Sequence, residues 1–100
     1  MGKLVRDRIP EIIRADGKTP IIRIMDDEEY VKELDRKLCE EVEEYRADGS
    51  IEEMADILEV LQAVCIARGY TLRQLEEVRR KKAEERGGFN KHIYWEGNQV

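Results

Sequence analysis

Between Ser50 and Gly69 the chain carries too many apolar residues for a helix covered on one side only. At about 100° per residue, Ile51, Met54, Leu58, Leu61 and Cys65 fall on one stripe, and Ile57, Val60 and Val64 fall on another. A helix that is apolar on two sides has to be buried on two sides. The chain is 100 residues long, room for one small domain. A chain this short with three long helices offers little protein to cover the second side. The expectation is a single all-α domain spanning residues 1–100, a helical bundle that self-associates as a dimer or tetramer with this helix near the interface.

The other elements follow from local signals. Pro10 suits the first turn of a short helix, Ile9 to Ala15, which Gly17 stops. Thr19-Pro20 opens an extended piece, and Ile21, Ile22, Ile24 and Met25 are apolar enough for a short strand. Asp26 or Asp27 caps a first long helix running to about Ala47, with Tyr30, Val31, Leu34, Leu38, Val42 and Tyr45 at three- and four-residue steps. Asp48-Gly49 ends it. Ser50 with Glu53 matches a capping box for the second long helix, and Thr71 with Gln74 matches another for the third, which ends at Gly87-Gly88. The two long helices before Gly69 are therefore antiparallel neighbours. Ile93, Tyr94 and Trp95 in the tail are expected to dock on the bundle or on a neighbouring subunit.

Composition removes several classes. The chain is 41% hydrophobic and 41% charged, too apolar for a disordered tail and too charged for a membrane protein. No apolar run approaches the ~18 residues of a membrane span. Met1 to Asp7 lacks the apolar segment of a signal peptide. Cys39 and Cys65 make neither a disulfide framework nor a zinc cluster, so reduced thiols in a cytoplasmic protein are expected. His92 is the single histidine, which removes a His-based triad and a His-rich metal site. The net charge is −5, and it is unevenly placed: Asp26 to Glu59 holds 15 acids and 4 bases. This acidic centre argues against a nucleic-acid binder, although Arg79 to Lys82 form a basic patch.

Four of the acids lie where solvent does not explain them. Glu41 falls within the Leu34, Val42, Tyr45 stripe, and Glu44 sits on its shoulder three residues on. Glu53 falls within the Ile57, Val60, Val64 stripe, with Asp56 again three residues on. Glu52 and Glu59 face the polar side. Buried carboxylates are costly unless paired or bound to metal, and four together raise one another's pKa. Mg²⁺ relieves both costs, because it takes hard oxygen ligands and leaves positions for water and phosphate; Mn²⁺ is the alternative. Each acid also has a structural role open to it. Glu53 can be the reciprocal partner of the Ser50 cap, and Glu44 can pair with Lys37 on the surface. Lys37 is the only nearby cation on the same helix for Glu41.

Leu38-Cys39-Glu40-Glu41-Val42-Glu43-Glu44-Tyr45 and Glu52-Glu53-Met54-Ala55-Asp56-Ile57-Leu58-Glu59-Val60 together resemble the MazG-like all-α nucleoside triphosphate pyrophosphohydrolases. Their signature is a Glu-x-x-Glu pair and then a Glu-x-x-Asp pair on adjacent helices, which maps to Glu41, Glu44, Glu53 and Asp56. Lys3 to Ile13 and Val78 to Phe89 look like the flanking segments of the phosphoribosyl-ATP pyrophosphohydrolase-like, or house-cleaning, subgroup. Eight residues separate Glu44 from Glu53, fewer than in many members, which leaves little room for a base-binding insertion. The resemblance implies a bundle that completes its site by oligomerising. It also implies Mg²⁺-dependent hydrolysis of a non-canonical nucleoside triphosphate between the α and β phosphates, giving the monophosphate and pyrophosphate. Glu41, Glu44, Glu53 and Asp56 would hold the metal, and Glu41 or Glu44 would take the proton of the attacking water.

The basic residues then have a task. Lys82 and Arg86, four apart on one face of the last helix, and Lys3 and Arg6 near the amino terminus are the expected phosphate ligands. The Arg79 to Lys82 run is equally a solvated face at a helix carboxyl end. Tyr70, Phe89 and Trp95 can stack on a base or simply pack. Two other functions stay open: hydrolysis of phosphoribosyl-ATP, which uses similar carboxylates, and a non-catalytic helical dimerisation module in which the acids are caps and surface pairs.

Overall fold

A computed structural model describes residues 2–100. It contains four helices: α1 (Ile9–Ala15), α2 (Asp27–Asp48), α3 (Ile51–Ala67) and α4 (Leu72–Arg86). Among the described residues there is no strand. Residues 21–25 have no regular secondary structure, and Ile21 and Ile24 stand in open solvent, with no strand among the described residues to hydrogen-bond them. The strand anticipated there does not form because an isolated extended segment has no ladder to join. Instead the segment is pinned at its end, where Arg23 Nη1 donates to Glu29 Oε1 at 2.6 Å. Among the described residues no helix is long and apolar enough to cross a membrane.

Side-chain caps set the starts of the long helices. Asp26 accepts from the Glu29 amide at 2.8 Å and opens α2. Gly49 closes α2 in the left-handed region (φ 70°), with its amide donating to the Tyr45 carbonyl. Gly49 and Ser50 alone separate α2 from α3, so the chain reverses at once and the two helices run antiparallel. Arg68 at the end of α3 bonds Asp35 in the first half of α2 at 2.7 Å, which fixes the register from the other end. Leu34 is the most buried apolar side chain of the pair, at 3% exposure.

One turn beyond α3, Thr71 and Gln74 form a complete capping box that starts α4. The Cys65 thiol donates to the Thr71 carbonyl at 3.4 Å and ties the turn to α3. From there α4 has little to pack on: apart from half-buried Ala83 its residues are exposed along its whole length. The tail does not dock on this chain's own helices. Phe89 is 96% exposed, and Ile93, Tyr94 and Trp95 are also open to solvent. Its aromatic residues are left uncovered because α4 carries the tail away from α2 and α3. The radius of gyration is 18.2 Å and the long axis 64 Å, against about 13 Å expected for a compact 100-residue domain.

The two apolar stripes of α3 separate cleanly. Ile57, Val60 and Val64 are half-buried, as are Glu53 and Asp56, on the side that meets α2. Ile51, Met54, Leu58 and Leu61 are exposed. Cys65, the last residue of that stripe, is buried under the turn into α4. Both cysteines are free thiols.

Candidate functional site

The covered face of α2 carries Leu34 and, two helical turns further on, Glu41. An acid thus stands where the packing pattern calls for an apolar side chain, and it is 6% exposed. Directly across, the covered face of α3 brings Glu53 and Asp56, three residues and about one turn apart. One carboxylate oxygen from each of Glu41, Glu53 and Asp56 lies within 4.8 Å of the others. Two oxygens bound to one cation at 2.0–2.6 Å are at most about 5 Å apart, so this spacing suits a shared divalent ion.

The partners of these acids are few. Lys37 Nζ lies 3.4 Å from Glu41 Oε1, one turn back on the same helix, and 3.9 Å from Glu40. Arg6, from the segment before α1, donates from Nη2 to Asp56 Oδ1 at 2.6 Å. Glu41 Oε2 and Glu53 Oε2 are buried and accept no hydrogen bond. A buried charged oxygen without a donor is expensive, and a cation is the usual way such a cost is met. Burial is the main reason the Glu41 carboxyl is pushed above its ordinary range. The neighbouring Glu44 pushes it further up, and Lys37 pulls it part of the way back.

Glu53 is not spent on capping. Ser50 Oγ accepts from the Glu53 amide at 3.4 Å, but the return bond from the Ser50 amide to the Glu53 carboxylate is absent. The capping box read from the sequence for α3 is therefore only half made, because the Glu53 side chain turns towards α2 instead. Glu44 does not join the trio. It is exposed on the shoulder of α2, beside Glu41 but outside the three converging oxygens. Lys82 and Arg86 are exposed on α4, and Lys3 is exposed near the amino terminus. Of the four cations expected at phosphate, the structure brings Arg6 alone to the carboxylates. Lys37, the one nearby cation the sequence offered Glu41, does pair with it, as the four-residue spacing allows. The Arg6–Asp56 pair spans fifty positions and left no local trace.

No family model matches the chain, and no solved structure matches it. The chain is 64% identical over 47 residues to an uncharacterized protein of Mycolicibacterium smegmatis. That match covers 47% of this chain and 48% of the relative, so the chain spans about half the length of the curated relative it matches.

Proposed function

We propose that this chain is a divalent-cation-dependent nucleoside triphosphate pyrophosphohydrolase of the MazG-like type, working in the cytoplasm and cleaving between the α and β phosphates. The observation that carries this is the pair of buried, donor-free oxygens, Glu41 Oε2 and Glu53 Oε2, in a trio of converging carboxylates. A helix pair that only dimerised would gain by replacing both acids with leucine. Glu41, Glu53 and Asp56 would hold the cation, with Mg²⁺ the first choice and Mn²⁺ the second. Bound there, the cation would neutralise a phosphate chain and lower the pKa of a water.

Glu44 is placed for a different task. Its carboxylate is exposed beside the trio, so it can accept a proton from a water and pass it to solvent. Arg6 reaches the same place from the amino-terminal side. Lys82 and Arg86 are exposed cations that, like Lys3, make no ion pair within 4.0 Å among the described residues. In a single chain α4 runs free of α2, so a second copy would have to carry Lys82 and Arg86 to the phosphates. That agrees with a MazG-like site completed by self-association.

The test is pyrophosphate release from a panel of standard, modified and phosphoribosylated nucleotides, with and without Mg²⁺. Release that requires Mg²⁺ is expected from at least one of them. Glu41→Gln and Asp56→Asn are each expected to lower it by about 100-fold or more, with helix content by circular dichroism unchanged. Silence across the whole panel would leave the non-catalytic dimerisation module as the better account. Normal turnover in both variants would move the site elsewhere.

A further inference from the structure

Arg6 and Asp56 form the link between the amino-terminal segment and the carboxylate trio. The two ends of this link differ in how firmly they are held. Asp56 is fixed on α3 and half-buried. Arg6 belongs to a stretch without regular structure that precedes α1, and its side chain is 57% exposed. Its backbone carbonyl accepts from the Ile9 amide at 3.1 Å, so the chain can keep its turn into α1 while the side chain moves.

Charge balance gives that movement a cause. When ionised, Glu41, Glu53 and Asp56 carry three negative charges. Lys37 and Arg6 set two positive charges against them. A divalent cation entering the trio would more than cancel the charge that Lys37 and Arg6 leave on these three acids, with Glu40 and Glu44 at the exposed edge as the remaining negative groups. It would also stand beside a guanidinium already bonded to one of its ligands. Lys37 is one turn from Glu41 on the same helix and is mostly covered, so it stays. Arg6 is the exposed cation on the looser segment, and it is the one that yields.

We infer that Arg6 is a built-in counter-ion of Asp56, displaced when a divalent cation enters the trio, and that its freed guanidinium then serves an anionic ligand at the same place. The proposal rests on the trio being a cation site. Cation and amino-terminal segment compete for one carboxylate, so each weakens the other's hold on it. An anion that pairs with the released Arg6 removes that competition, which makes cation first and phosphate second the favoured order of binding.

The test uses Mn²⁺ alone, titrated into the full chain and followed by the electron paramagnetic resonance of the free ion. Arg6→Gln is expected to bind Mn²⁺ about two- to fivefold more tightly than the native chain, the range set by one partly exposed ion pair. In the native chain, amide exchange at residues 4–8 is expected to speed up when Mg²⁺ is added, an effect lost in Asp56→Asn. Equal or weaker Mn²⁺ binding by Arg6→Gln overturns the displacement, and so does exchange at residues 4–8 that ignores Mg²⁺. A native chain that binds no Mn²⁺ overturns the trio as a cation site and the displacement with it. A native chain that binds Mn²⁺ no differently from Arg6→Gln overturns the displacement alone.

Discussion

Glu41 holds a position that leucine would fill with benefit to the fold, so its cost should be measurable as a pH effect. Burial lifts its carboxyl above the ordinary value of 4.5, with Glu44 adding to the lift. The unfolded chain ionises this group at its ordinary pKa, whereas the folded chain holds the proton longer. The resulting stabilisation is complete below 4.5 and is lost as pH rises through the raised folded value. In chelator, Glu41→Gln should therefore melt increasingly above the native chain as pH climbs from 4 towards 8, in a series of thermal melts. A melting difference that stayed constant across that range would mean the carboxyl is not strained by burial. Added Mg²⁺ should shrink or reverse the difference, since only the native chain has the full ligand set. The position of Glu41 was legible in the sequence because helical periodicity alone places it among apolar neighbours. The fate of Glu53 was not, since the same Ser-x-x-Glu spacing serves a capping box or a site, and only the facing surface of α2 decides which.

The helix boundaries were the most legible feature, and the reason is that they are set by neighbours within four residues. Asp26, Ser50 and Thr71 each accept the amide three positions on, and Gly49 supplies the left-handed stop after α2. What a helix packs against is not local, which is why the strand expected at 21–25 does not form and why the tail, expected on the bundle or on a neighbouring subunit, lies off this chain's own helices. α4 shows the difference most sharply. At 15 residues it is near the length at which an isolated helix is marginal in water, and within one chain it is covered by almost nothing. Its start should therefore depend on the capping box to an unusual degree. Thr71→Ala removes the acceptor for the Gln74 amide, at a cost of about 1 kcal/mol. The expected result is roughly fivefold faster amide exchange over residues 74–78, with exchange in α2 and α3 little changed. Faster exchange spread evenly through all three helices would show instead that α4 is a full member of the core.

At the scale of the whole molecule, one chain leaves a large apolar surface uncovered, and the proposed function would have a second copy cover it. Ile51, Met54, Leu58 and Leu61 form a continuous exposed stripe on α3, and the aromatic tail adds a second uncovered set. Burying one leucine or isoleucine fully is worth about 1.5–3 kcal/mol, so a four-residue stripe has ample energy to hold two copies together. The expectation of self-association came from the two stripes of α3, which one short chain could not both serve, and the structure leaves one of them exposed. The stripe left for a partner is not Ile57, Val60 and Val64, which is covered together with Glu53 and Asp56, but Ile51, Met54, Leu58 and Leu61. The outward stripe is thus the one to attack. Light scattering should give the native chain a mass that is a multiple of 11.8 kDa. Leu58→Glu sets a charge in the middle of the stripe and should shift the mass to that of one chain at the same concentration. Leu58 lies on the exposed side of α3, away from the trio, so Mn²⁺ binding by the variant should survive. Under the proposed function any pyrophosphate release should nevertheless fall, because within one chain α4 does not pack on α2 and a second copy would have to bring Lys82 and Arg86 to the carboxylates. A native chain that runs as a monomer at tens of micromolar, or a Leu58→Glu monomer with undiminished release, would place the complete site within one chain.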